Sequence, residues 1–449
     1  MTRVGPAGRA YGSAAAVVLA FGLSLAIVRF ATLVALLVPL AAGFMAVTLT
    51  VRRLGRHFDE ATARRIMWWS VVSLLLHLLA GLIITNSSLS LYLGGDAFTY
   101  HRGAIAILRH WNDGFPMPRN LQQGKEGFYY VLAALYWMFG VSTSAGLVFN
   151  ATLSAILVPL LVDSTRRLFG PSATRSIPPM ALLLPGLFIW STQLLKEACV
   201  LFLAALAVNC ALRVAQRITP GALFVLTTSL AALMTFRAQV GFVLAAGMLL
   251  GLTLGRGRIL GGVGTGVGAL AVVAVLVGSV GLGYAGFQVA IDSNLKQADT
   301  VRLDLATSAR SGFAEDVHIA TPGQAVRFLP RGLTALLLGP FPWQLGTVRQ
   351  LPAIVDVLAW WSLIPFLWRG LRRGWRLVGR RLLVVMIPAT AASMVLALAT
   401  GNFGTIVRER TQIVVILLPL IAYGVSLRRP RIETVDPELE VLEPVAAGA

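Results

Sequence analysis

Charge is scarce in this chain. Only 13% of its 449 residues are Asp, Glu, Lys or Arg, where a soluble globular domain carries about 25%. Lysine is scarcer still, with Lys125, Lys196 and Lys296 the only three against an arginine-rich remainder. The two cysteines, Cys199 and Cys210, both fall inside one apolar run, which excludes a disulfide framework or a thiolate metal centre. His101, His110 and His318 have no zinc-ligand spacing, and no nucleophile motif of the hydrolase kind occurs. What is abundant is apolar: 57% of residues are hydrophobic and the mean hydropathy is +0.77. The composition is that of a polytopic all-α membrane protein.

The net charge of +19 does not point to nucleic acid, because the arginines sit in short loops between apolar runs. A crossing needs roughly 20 apolar residues, and twelve runs qualify as spans or near-spans: Ala14 to Val28, Thr32 to Thr50, Met67 to Ile84, Ala145 to Val162, Ile177 to Thr192, Ala198 to Leu212, Ala222 to Phe236, Val240 to Leu254, Ile259 to Tyr284, Ile354 to Trp368, Leu382 to Thr400 and Ile413 to Leu427. The first run continues through Arg29 into the second with no small-residue cleavage pattern, so a retained segment is expected there instead of a cleaved signal peptide. With the amino terminus in the cytoplasm, 23 of the 38 basic residues fall on the inner face, as the positive-inside rule requires. Keeping that balance makes Phe128 to Phe139 a partial or surface helix. Leu333 to Trp343, interrupted by Gly339, Pro340 and Pro342, becomes a re-entrant or interfacial piece. Residues 1–430 then form one transmembrane domain with outer loops at 86–127 and 285–351. Residues 431–449, acidic and without apolar period, read as a disordered cytoplasmic tail. The glycines from Gly261 to Gly268 lie within an apolar run and suit close helix packing better than phosphate binding.

This topology puts the polar interruptions on the outer face. Asp96 and Tyr100 follow the third span; read alone, Asp96 is equally a capping or turn residue. Lys196 and Glu197 break an apolar stretch from Met180 to Leu212, and as helix neighbours each needs a partner elsewhere. Arg237 divides two spans almost without a loop, so its guanidinium must reach a cavity, a headgroup or a carboxylate. In the island from Gly401 to Arg410, Arg408 and Arg410 straddle Glu409. An extended backbone would pair one of them with that acid and leave the other for an anion such as phosphate. Lys125 and Glu126 belong to the same outer set. The outer carboxylates admit a divalent cation such as Mg or Mn, but no spacing among them selects a site.

The run Gly94 to Tyr100, a polar loop, then Glu126-Gly127-Phe128-Tyr129-Tyr130 and an apolar helix ending in Phe139-Gly140 resembles the C-type (GT-C) integral-membrane glycosyltransferases of the dolichyl-phosphate-mannose protein mannosyltransferase group. The resemblance spans Gly94 to Leu212 by order of features. It implies a GT-C-like bundle and a sugar donor linked to polyprenyl phosphate. The acceptor would be a glycan, lipid or protein, and Asp96 the catalytic base. The remaining outer residues, Tyr100, Glu126, Lys196, Glu197, Arg237, Arg408 and Arg410, are then candidates for substrate binding. Two departures stand out: the loop follows the third span instead of the first, and Asp96 has Ala97 beside it where the family often has a second acid. The expectation is an inverting glycosyltransferase of a bacterial plasma membrane, acting on its outer face. A polymerase or ligase of lipid-diphosphate oligosaccharides, and a transporter or flippase of lipid-linked sugars, are the competing readings. Asp356, the one acid inside a nominal span, would bear on the last.

Overall fold

The computed structural model describes residues 33–90, 95–118, 121, 124–255, 295–308, 311–344 and 351–428. The expected spans Ala14 to Val28 and Ile259 to Tyr284, the glycines from Gly261 to Gly268 and the tail at 431–449 lie outside the described residues. In chain order the helices are α1 (Leu33–Gly55), α2 (Glu60–Thr85), α3 (Gly95–Asp113), α4 (Gly127–Phe139), α5 (Thr143–Phe169), α6 (Ile177–Leu183), α7 (Pro185–Ser191), α8 (Glu197–Gln216), α9 (Pro220–Phe236), α10 (Ala238–Gly255), α11 (Leu295–Thr307), α12 (Pro322–Leu338), α13 (Leu351–Val378), α14 (Leu383–Ala399) and α15 (Phe403–Ser426). Among the described residues the one β-contact is an isolated bridge between Gly312 and Asn402.

Among the described residues six helical stretches are long and apolar enough to cross a bilayer: α1, α2, α5, α8, α10 and the continuous run Leu351–Ala399 that contains α13 and α14. The chain is a multi-pass helical membrane protein. The helix α4, at 13 residues, rises only about 20 Å, too little for a core of about 30 Å. That agrees with its reading as a partial helix.

Several expectations are corrected. The stretch Ile177 to Thr192 is not one span. Pro185 pushes Leu184 out of the helical region to φ −65° and ψ 118°, which leaves two seven-residue helices, α6 and α7. The segment expected to be a loop at 86–127 contains the 19-residue helix α3, whose buried Tyr100, Ala104, Ile107 and Leu108 recur at helical spacing and face α4. The loop at 285–351 contains α11 and α12. Helix α12 starts well before Leu333, at a capping box in which Thr321 and Gln324 satisfy each other's backbone N–H groups and Pro322 occupies the first turn. Its apolar face, with Phe328, Ala335 and Leu336, is buried, so Leu333 to Leu338 ends a long amphipathic helix instead of forming a separate re-entrant piece.

The helices share two ends. At one end α2, α5 and α9 finish or start beside Thr85, Asn150 and Phe236. At the other lie Arg65, Arg166, Arg167, Arg175, Arg213 and the arginines that close α13. There Asp163, fully buried in α5, accepts from Arg166 at 2.8 Å, Arg167 at 2.7 Å, Arg213 at 3.0 Å and Asn209 at 3.0 Å, tying α5 to α8. Helices α13 and α15 run parallel and very close. A Cβ on Gly424 would run into the Phe366 carbonyl, and one on Gly370 into that of Leu420. Phe169 of α5 stacks on Tyr423 at 4.2 Å and adds α5 to this pair.

Candidate functional site

Opposite the arginine-rich end, side chains from five separate parts of the chain meet. The mouth is formed by Asp96 in the first turn of α3, where the positive end of the helix dipole favours a carboxylate. Arg408, one turn into α15, donates from Nη1 to Asp96 Oδ2 at 2.8 Å. The same guanidinium lies 3.3 Å through Nε from Glu197 Oε1 and 5.9 Å from the Trp190 ring. Arg408 is thus shared between a half-exposed acid and one that is 2% exposed. Beneath them Arg237 approaches Glu409 at 3.4 Å, both buried. Lys196 donates to the Tyr100 hydroxyl at 3.1 Å, and Tyr100 is wedged between Phe128 and Tyr129.

Local structure explains how these groups are held. Residues 192–196 are not helical, so their carbonyls need other donors, and the buried Asn150 of α5 donates to Gln193 O at 2.7 Å and Leu195 O at 2.9 Å. That brace delivers Lys196 and Glu197 to the start of α8. Arg237 is the C-cap of α9, with its N–H on Leu233 O, and the chain turns at once into α10. The Gly401 to Arg410 island is not an extended turn: Asn402 accepts from the Thr405 N–H at 2.8 Å and starts α15. The segment 311–313 clips this cap, through Phe313 N to Gly401 O at 2.7 Å and Phe403 N to Ser311 O at 3.0 Å. Behind the clip Arg302 is fully buried against Phe328 and donates to the Ala314 and Val317 carbonyls. Asp299 accepts from the Ile319 N–H at 2.9 Å and lies 2.9 Å from the His318 ring nitrogen. The long polar segment therefore supports α15, and its described side chains add no charge to the cluster.

The expected site residues divide accordingly. Asp96, Tyr100, Lys196, Glu197, Arg237 and Arg408 come together. Arg410 does not: it is 1% exposed and donates from Nη2 to Asp356 Oδ2 at 2.5 Å and also to the Gly339 carbonyl. Asp356 sits near the start of α13, beside the cluster end of the bundle, and not at mid-span. Its other oxygen accepts the Gly186 N–H at 2.7 Å, capping α7. Glu126 is the N-cap residue of α4, its carbonyl taking the Tyr129 N–H at 3.0 Å, with no side-chain cap bond. Two further members stand among the outer polar residues of the sequence but not among its expected site residues. Glu409 is the partner of Arg237. Lys125 is near enough for its charge to act on Asp96 and Glu197. The signal for Lys125 was its rarity, one lysine of three.

Electrostatics follow from this crowding. Burial pushes the Asp96 carboxyl up, but the charge and hydrogen bond of Arg408, with Lys196 and Lys125 behind it, outweigh burial and hold it below the usual carboxylate value. Lys125 is lowered by burial first and then by Arg237 and Arg408. The Tyr100 hydroxyl is pushed up by burial and by Glu197, so it stays protonated and can donate. Four basic side chains, Lys125, Lys196, Arg237 and Arg408, meet three carboxyl groups, Asp96, Glu197 and Glu409. Both Glu197 oxygens, Glu409 Oε2, Arg408 Nε and Arg237 Nη1 are buried without a hydrogen bond in the protein, the two nitrogens being held in ion pairs at 3.3 Å with Glu197 and 3.4 Å with Glu409. Among the described residues no three of His, Cys, Asp or Glu converge as metal ligands. Beside Asp96 a small cavity of about 70 Å³, lined by Ile84, Ala97, Phe98, His101 and Leu194 among others, offers an apolar neighbour to this charge.

Fold and site together define a multi-pass helical membrane protein with a buried charge cluster opening at one end of its bundle. No protein-family model matches the chain, and no curated protein matches it. Among solved structures it is similar to the archaeal oligosaccharyltransferase AglB from Archaeoglobus fulgidus, in complex with an inhibitory peptide and a dolichol-phosphate, at 15% identity and a TM-score of 0.46. The likeness covers 80% of this chain and 50% of that one, so the chain spans half the length of the protein it matches.

Proposed function

We propose that this protein is a membrane-embedded glycosyltransferase that takes a sugar from a polyprenyl-phosphate donor and passes it to a hydroxyl of a glycan, lipid or protein acceptor. The observation that carries the reading is Arg408, shared at 2.8 and 3.3 Å between the half-exposed Asp96 and the buried Glu197 above further cations. An acid at the mouth and cations behind it are what such a transfer requires. The acceptor oxygen forms a bond to the anomeric carbon as its proton passes to an Asp96 oxygen. The bond from that carbon to the phosphate oxygen breaks, and its electron pair stays on the departing lipid phosphate. Arg408, Lys196 and Lys125 oppose the charge that develops there. A single displacement of this kind inverts the anomeric carbon.

Paired with Arg408, Asp96 is a poor base. A donor phosphate that engages Arg408 releases the carboxylate, so donor binding itself activates the base. No step here is routed through a divalent cation.

Asp96→Asn keeps shape and removes the proton acceptor. The expected result is a folded protein whose transfer rate falls about 100- to 10,000-fold, the worth of a positioned general base. The assay is mass spectrometry of lipid-linked sugars and envelope glycans in a deletion strain carrying either form. Accumulated polyprenyl-monophosphate sugar supports the reading, and near-normal transfer by the Asn variant overturns it. Accumulated lipid-diphosphate oligosaccharide would assign the site to a polymerase or ligase instead. The pH dependence has a definite sign. Because the folded pKa of Asp96 is depressed, the stabilisation from its pairing is present above the unfolded value of about 3.9 and lost as pH falls through the lower folded value. An acid limb in kcat/KM of the free enzyme near neutrality would therefore implicate another group.

The arginine distribution supports a cytoplasmic arginine-rich end, and on that reading the cluster faces the outside of a bacterial plasma membrane. Cysteine at the exposed Thr99 should react with an impermeant thiol reagent in intact cells, while cysteine at the exposed Leu377 should react only after lysis. The native Cys199 and Cys210 are buried and give little background. The reverse labelling pattern would invert the topology.

A further inference from the structure

The arginine-rich end holds a second, separate concentration of charge. Arg369, Arg372, Arg373 and Arg376 follow one another at the spacing that places side chains on one face of a helix, here the last turns of α13. With Trp368 and Leu427 they line an open cavity of about 510 Å³. None of the four is in an ion pair among the described residues. Arg428, just past α15, lies 4.2 Å from the centre of the Phe366 ring, and Arg369 lies 5.8 Å from the same ring. The groove is therefore built on two helices whose backbones touch at Gly370 and Gly424.

Complementing the dipole of α13 needs cations only in its last turn, whereas Arg369 lies two turns earlier. The apolar part of the groove is just as exposed: Trp368 and Leu427 both face outward, and the neighbouring Trp375 and Leu377, outside the groove lining, are exposed as well. Arginines that can grip phosphate bidentately, beside indole and leucine at this depth, match a ligand with a phosphate head and acyl chains.

We propose that this groove is a binding site for an anionic phospholipid whose headgroup carries two phosphates. Two adjacent phosphates use the four guanidiniums in pairs, and the cavity is of a size that holds a headgroup. The acyl chains lie along Trp368 and Leu427. The proposal is independent of the transferase reading, because the groove and the charge cluster are at opposite ends of the bundle.

The test is native mass spectrometry of the purified full chain, with diphosphatidylglycerol, phosphatidylglycerol and phosphatidylethanolamine offered at equal concentration. Wild type should retain diphosphatidylglycerol about tenfold better than phosphatidylglycerol, and Arg372→Gln/Arg373→Gln/Arg376→Gln should lower that retention about tenfold. Arg52→Gln/Arg53→Gln/Arg56→Gln removes the same charge from the same end of the bundle, outside the groove, and should leave retention unchanged. If the groove triple variant does not elute as a single folded species, Arg373→Gln alone should still lower retention, by about threefold. Equal retention of the two glycerol lipids, equal loss in both triple variants, or displacement of the lipid by millimolar pyrophosphate would each overturn the proposal.

Discussion

Replacing Arg408 by alanine is expected to remove transfer, by more than about 1,000-fold, and to unsettle the fold at the same time. The two effects have separate causes. Losing one donor that faces developing charge reduces turnover by about 100- to 1,000-fold in comparable sites, and loss of donor affinity adds to it. For the fold, the alanine leaves Glu197 buried without its arginine, since Lys196 is engaged by Tyr100 and Arg237 by Glu409. Breaking a buried pair from one side costs about 3–5 kcal/mol, a large part of a typical total of 5–15 kcal/mol. The contributions separate in Glu197→Gln/Arg408→Gln, which removes both charges. That double variant should regain most of the thermal stability, read as loss of the monodisperse species on heating in detergent, and none of the transfer. An Arg408→Ala protein that melts within about two degrees of wild type would remove Glu197 as its buried partner.

The second large effect is expected at Asp356 and leaves chemistry alone. Asp356→Ala strands Arg410, which is 1% exposed, and takes the acceptor from the Gly186 N–H at the start of α7. The stranded guanidinium alone accounts for about 3–5 kcal/mol, and the lost cap for about 1 kcal/mol more. Asp356→Leu/Arg410→Met, apolar at both positions, should recover most of this, falling short by the Gly339 carbonyl, which loses its donor. Folded double variant should transfer at close to the wild-type rate, because Arg410 faces away from Asp96 and Glu197. A folded double variant without activity would bring Arg410 back into the site.

Arg408 and Arg410 illustrate how far the sequence could be read. Both stand out as charges beside an apolar run, since lipid makes each such charge costly and therefore visible. On an α-helix they are about 200° apart, at 100° per residue, so one reaches Asp96 and the other Asp356. An extended island hides that divergence, and the cap that makes it helical is Asn402, a residue equally at home in a turn. Lys196, Glu197 and Arg237 were legible for the same reason as the arginines. Their partners were not, because Tyr100, Arg408 and Glu409 lie far away in sequence and no local pattern encodes pairing across 312 residues, as for Asp96 and Arg408. The break at Pro185 was visible in principle, yet hydropathy averaged over the stretch conceals it. The brace by Asn150 had no local signal at all.

The order of the partners along the chain has a consequence for biogenesis. Glu197 and Arg237 are made well before the residues that neutralise them, Arg408 and Glu409. Until α15 inserts, α8 and the turn between α9 and α10 hold charge that the bilayer disfavours, and that state is the one a quality-control protease or chaperone would meet. A nascent chain stopped before residue 403 therefore carries Glu197 and Arg237 without the partners that neutralise them.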